Sequence, residues 1–156
     1  MEQDKKTIDW VRVAEIELVY KSKVKASERP KIKDSRDAYE IFKSLWEDGK
    51  MELMEQFKIL LLNQANRVLG ILNLSSGGVT GTVADPKLIY SAALKANACS
   101  LLLSHNHPSG NLKPSRSDEE LTQKIKMAGQ FLDIKLLDHV IITSEGYLSF
   151  ADEGLL

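Results

Sequence analysis

Two of the chain's three histidines stand two residues apart in the run Ser104-His105-Asn106-His107-Pro108-Ser109-Gly110. In extended backbone, residues i and i+2 project to the same side, so both imidazoles can reach one metal ion. Pro108 stiffens the backbone just beyond them. Asp118 follows in Pro114-Ser115-Arg116-Ser117-Asp118 and offers a carboxylate oxygen. Two nitrogens and one oxygen leave a tetrahedral zinc with one open position, the pattern of a catalytic rather than a structural site. Water in that position becomes acidic enough to attack at neutral pH. The same residues also admit a structural reading. Ser115 and Asp118 are spaced like a helix N-cap and its N3 carboxylate, and Ser117 with Glu120 has the same spacing.

The elements that must position these groups follow from periodicity and punctuation. Val11 to Lys25 reads as strand, with Ile16, Leu18 and Tyr20 alternating and a change of phase between Val13 and Ile16 that implies a bulge or bend. Lys21 to Asp34 is the most polar stretch and contains Pro30. Residues 1–31 are accordingly read as a strand-like arm and polar connector, and residues 32–156 as the main domain. Ser35 to Asp48 reads as an amphipathic helix with Ala38, Ile41, Phe42, Leu45 and Trp46 on one face. Gly49 stands where a C-terminal cap belongs. Phe57 to Asn63 and Arg67 to Leu74 form a hairpin through Gln64-Ala65-Asn66, and Ser75 to Gly81 is a loop. Asp85-Pro86 starts a second helix, expected to run to about Asn97. Cys99 to Ser104 is a nearly all-apolar central strand. A polar loop from His105 to Pro114 leads into a third helix, opened by Ser115 or Ser117, with Leu121, Ile125 and Ala128 in the core. Ile134 to Thr143 is a second buried strand and Tyr147 to Phe150 a short final one. Strands, a hairpin and three helices give an α/β fold with a mixed sheet.

Composition narrows the chemistry. With 156 residues the length is that of one domain. Lys plus Arg is 21 against 22 for Asp plus Glu, a net charge of −1, without the basic excess usual for a protein held on phosphate backbone. Cys99 is the only cysteine, which excludes intramolecular disulfides and zinc sites with two or more thiolates, the zinc deaminases among them. No signal peptide and no membrane span are visible. The reading is a cytoplasmic, reduced protein.

As a compound pattern, His105-x-His107-Pro108, seven residues, Ser115, two residues and Asp118 resembles the JAMM motif of MPN-domain metalloproteases. The form His-Asn-His-Pro-Ser-Gly, followed by Pro114-Ser115 and Asp118, resembles the RadC family in particular. Asp138-His139-Val140-Ile141, Ser149-Phe150 and Gly154-Leu155-Leu156 look like further parts of that family, so the resemblance covers roughly residues 32–156. It implies an MPN-type α/β domain of the cytidine-deaminase-like class, with the metal at the end of the Cys99 strand. It also implies one zinc ion on His105, His107 and Asp118, and an oxyanion-stabilising serine at Ser115. The implied general acid/base is a glutamate, matched here by Glu55 in Glu55-Gln56-Phe57, because the family pattern puts phenylalanine shortly after it. Glu52 is the weaker match. The implied activity is hydrolysis of a peptide or isopeptide bond in a peptide or protein substrate. Many RadC proteins begin with a helix-hairpin-helix segment associated with DNA. This chain reads as a short form without it, so strong DNA binding is not expected despite the family's DNA-repair label.

Other residues carry two readings. Asn106 either orients a ligand or substrate backbone, or shapes the turn. His139 is either an internal histidine bonded to Asp138 or backbone, or part of the shell around the metal. Ser109 and Gly110 define the loop. The competing functional classes are a non-enzymatic MPN scaffold and a DNA-repair-associated protein.

Overall fold

The computed structural model describes residues 14, 15, 17, 20–77 and 84–156. Among them, five strands form one sheet in the order β2-β1-β3-β4-β5. These are β1 (Gln56–Leu62), β2 (Val68–Ser76), β3 (Ser100–Asn106), β4 (Lys135–Ile142) and β5 (Tyr147–Ser149). The helices are α1 (Ser35–Ser44), α2 (Pro86–Lys95) and α3 (Arg116–Leu132). β1 pairs antiparallel with both β2 and β3, β3 pairs parallel with β4, and β4 antiparallel with β5. The sheet is mixed, as the expected α/β class requires. The parallel pair needs a crossover, and α3 supplies it.

Alternation along the central strands builds a core on each face of the sheet. Phe57, Ile59 and Leu61 of β1 and Leu101 and Leu103 of β3 join Ile89, Tyr90 and Ala93 of α2 and Ile125 of α3. On the other face, Leu60, Leu62 and Leu102 join Ala38, Tyr39 and Phe42 of α1. β1 and β3 are buried along their whole length, so their near-continuous apolar runs are those of central strands.

Most helix starts follow the expected chemistry. The Asp34 and Asp85 carboxylates cap α1 and α2, and Ser115 caps α3. Three expectations are corrected. α1 ends at Ser44 rather than Asp48, because Leu45 leaves helical geometry (φ −99°, ψ 0°) and the Leu45 and Trp46 N–H groups close i→i−3 turns on Phe42 and Lys43. Trp46 is then buried while Leu45 is exposed, and Gly49, at φ +76°, serves the following turn instead of capping the helix. α2 stops at Lys95, short of Asn97.

The third correction bears on function. β3 does not end at Ser104 but runs through Asn106, paired with β4 up to Ile142. Polar side chains do not end the strand here because His105 and Asn106 find buried partners. The strand expected over Val11 to Lys25, with its bulge, lies mostly outside the described residues; residues 20–25 carry no strand. Tyr20 hydroxyl donates to the Leu69 carbonyl of β2 at 2.7 Å. No helix among the described residues is long and apolar enough to cross a membrane.

Candidate metal centre

The C-terminal ends of the parallel pair β3 and β4 and the first turn of α3 meet in one cluster. His105 is fully buried on β3, its ring parallel to Phe57 directly across on β1, with centroids 5.7 Å apart. His107 lies just past the strand, its backbone N–H still donating to the Ile142 carbonyl. Pro108, Ser109 and Gly110 then turn the chain. Gly110 N–H donates to the His107 carbonyl and Gly110 takes φ +81°. That turn returns the Asn111 carbonyl to His107, which donates to it from Nδ1 at 2.5 Å. Asn111 was not singled out in the sequence; its signal is the turn that the Pro-Ser-Gly run prescribes.

The capping box of α3 delivers the carboxylate. Ser115 Oγ accepts from Asp118 N–H at 3.1 Å, and Asp118 Oδ2 accepts from Ser115 N–H at 2.7 Å. Asp118 is therefore both half of the capping box and the candidate ligand. Ser117 and Glu120 do not form the alternative box; Glu120 pairs with Arg116 at 2.8 Å. His105 Nε2 lies 3.0 Å from His107 Nε2 and 3.3 Å from Asp118 Oδ1, and His107 Nε2 lies 3.7 Å from Asp118 Oδ2.

The donor set fits a metal. Ligands about 2.0–2.1 Å from a tetrahedral zinc stand about 3.3–3.4 Å from one another, close to these separations. The three residues form a group that could hold one ion. The hydrogen-bond partners also leave the right atoms open. A carbonyl only accepts, so His107 carries its proton on Nδ1 and, when neutral, turns a lone pair from Nε2 towards His105. A metal ion or a proton between the two Nε2 atoms, beside the carboxylate, satisfies that lone pair. The neighbouring Asp118 carboxylate, 3.7 Å away, raises the pKa of His107 against the effect of burial. Burial pushes the Asp118 carboxyl up, but the neighbouring His105 and His107 rings outweigh it and hold that group far below the usual carboxylate range.

Behind the cluster is a second histidine layer. His139 of β4 is fully buried between Phe57 and Phe150, and its Nε2 lies 2.7 Å from His105 Nδ1. Its ring does not bond to Asp138 or to backbone. Asp138 takes only the backbone N–H of His139, at 2.7 Å. His139 Nδ1 instead faces Thr122 Oγ1 of α3 at 2.7 Å. Burial, then the charge on His105, holds the His139 pKa well below its ordinary value.

Asn106 works elsewhere. Its Oδ1 accepts from Gln56 N–H at 2.7 Å, and its Nδ2 donates to the Met51 and Met54 carbonyls at 2.7 and 2.9 Å. All its side-chain hydrogen bonds go to the start of β1 and the segment that leads into it, none to the cluster. That segment carries Glu55, immediately before β1 and partly buried, whose charge acts on His107. Glu52, in the same segment, is exposed.

An α/β domain with a His-x-His pair at the end of a central strand and a carboxylate from the next helix defines a JAB-type (MPN) domain. A family profile described as "RadC-like JAB domain" matches residues 32–155. The chain belongs to that family. It is 46% identical over 125 residues to a UPF0758 protein of Flavobacterium johnsoniae, 80% of this chain and 53% of that protein. It is 45% identical over 129 residues to a UPF0758 protein of Porphyromonas gingivalis, 82% of this chain and 56% of that protein. The chain thus spans about half the length of the curated relatives it matches, whose names state no activity.

Proposed function

We propose that the protein is a cytoplasmic zinc metallopeptidase or isopeptidase of the RadC/JAMM type, acting on an amide bond of a peptide or protein. The observation that carries this reading is the pair of imidazole Nε2 atoms turned towards each other at 3.0 Å beside the Asp118 carboxylate. A scaffold has no need of such an acceptor set.

His105, His107 and Asp118 would hold the ion. The chemistry that a bound zinc supplies is acidification of a water molecule and polarisation of a carbonyl. Glu55 takes the proton of the attacking water and delivers it to the leaving amine. Ser115 uses its oxygen as acceptor in the helix cap, which leaves the hydroxyl proton to stabilise the oxyanion. Asn106 holds the backbone on both sides of Glu55 and so fixes where its carboxylate stands.

The test is cleavage profiling of peptide and isopeptide substrates with and without chelator, repeated with Glu55→Gln. The variant should keep fold and zinc content while activity falls about 10²–10⁴-fold, the usual worth of a positioned proton-transfer group. Glu52→Gln should change little. Full activity in Glu55→Gln on a verified substrate would overturn the assigned mechanism.

A further inference from the structure

Thr122 was not singled out in the sequence, yet it is fully buried on α3 and links His139 to the backbone of Asp118. Its Oγ1 donates to the Asp118 carbonyl at 2.6 Å. A hydroxyl has one proton, so towards His139 Nδ1 the same oxygen can only accept. His139 therefore carries its proton on Nδ1. Its Nε2 is then an acceptor, and the proton shared with His105 belongs to His105 Nδ1. That leaves the lone pair of neutral His105 on Nε2, the atom facing His107 and Asp118.

We propose that Thr122 is a positioning residue that sets the tautomer of His105 through His139, keeping Nε2 unprotonated for the metal. This rests on the metal-site reading above, but reaches a residue that touches neither metal nor substrate. The relay also explains why a polar residue is tolerated on the buried face of α3 beside Ile125. The hydroxyl has partners on both sides, so its burial leaves nothing unsatisfied.

Thr122→Val breaks the relay at almost constant volume. His139 Nδ1 then has no acceptor, and the ring can carry its proton on Nε2, towards His105. His105 must accept at Nδ1 and place its own proton on Nε2, where it blocks the ligand atom. Thr122→Ser restores the hydroxyl.

Two readouts decide the proposal. Long-range proton–nitrogen NMR of the histidine rings, at mildly alkaline pH and without metal, should show Nδ1–H tautomers for His105 and His139 in the wild type. In Thr122→Val, His105 should shift towards the Nε2–H form. Competition against a chromophoric chelator should show zinc affinity falling about 10–100-fold in Thr122→Val, the usual worth of a partner behind a metal ligand. Thr122→Ser should keep the wild-type value. An Nε2–H tautomer of His105 in the wild type overturns the relay without any variant. So does wild-type affinity in Thr122→Val, or a loss in Thr122→Ser as large as in the valine variant. A wild type that binds no zinc defeats the metallopeptidase reading instead, and the ring tautomers still decide the relay.

Discussion

Asp138 and His139 are neighbours on β4, both buried, and each sits in a polar network. The Asp138 network is closed. Its Oδ1 accepts from His139 and Ala151 N–H at 2.7 and 2.9 Å, and its Oδ2 accepts from Ser149 Oγ at 2.5 Å. Ser149 in turn accepts from Asp152 N–H. Every partner belongs to β4 or to the segment that folds back on it, so the carboxylate ties the C-terminal end of the chain to the sheet. The His139 network is open. It passes from Thr122 through His139 and His105 and ends in nitrogen lone pairs that face each other. A buried polar group whose partners all lie nearby stabilises the fold; one whose chain of partners ends in surplus acceptors has donor atoms to spare for a cation, as the proposed metal reading requires.

The sharpest way to break this contrast is to cut each network. His107→Ala should abolish retained zinc, read by elemental analysis after dialysis, while the metal-free protein unfolds close to the wild type. Asp138→Ala should do the reverse. It strips an acceptor from Ser149 and from two backbone N–H groups, at a cost of about 2–4 kcal/mol in denaturant unfolding. Zinc binding should persist wherever the protein is still folded. Loss of zinc in folded Asp138→Ala would mean that the two networks are one.

The difference between the networks also marks what could be read in advance. The His105, His107 and Asp118 grouping was legible because strand periodicity and helix capping act locally: a two-residue spacing and a capping box fix where these side chains go. The sheet's apolar strands were legible for the same reason. Thr122 was not, because nothing local distinguishes a buried threonine from an exposed one; its role depends on α3 crossing β4 at His139. The end of β3 was misread because histidine and asparagine look like loop residues until their partners are known. Phe57 is intermediate. Beyond opening a strand it serves in the sequence as a marker for Glu55, and its stacking on His105 gives the marker a physical reason.

Asn106 offers a smaller and more selective cut, since it lies on β3 next to both candidate histidines but serves a third set of partners. Asn106→Ala leaves Gln56 N–H and the Met51 and Met54 carbonyls without their partner. Stability should fall by about 1–3 kcal/mol. Zinc affinity should stay near the wild type, while kcat falls because the segment bearing Glu55 loosens. Unchanged kcat with reduced zinc affinity would place Asn106 behind the metal ligands instead.

The smallest expected effect isolates charge from shape in the closed network. Burial raises the Asp138 carboxyl above its ordinary value of 3.8, against the pull of the hydrogen bonds from Ser149, Ala151 and His139. A group that holds its proton more tightly when folded contributes stability that is complete below its unfolded pKa. That contribution is lost as pH rises through the unfolded value, about 3.9, towards the folded one. Asp118, lowered by the histidines, has the opposite sign. Asp138→Asn keeps the side-chain shape and the Oδ1 acceptor, and its amide can donate to Ser149 Oγ. Near pH 7 it should unfold within about 1 kcal/mol of the wild type. The stability of the variant relative to the wild type should rise with pH from about pH 4 upwards, then level off once Asp138 is ionised in both states of the wild type. Denaturant unfolding across that window reads the slope directly. A flat difference would show that the Asp138 carboxyl titrates alike in the folded and unfolded chain.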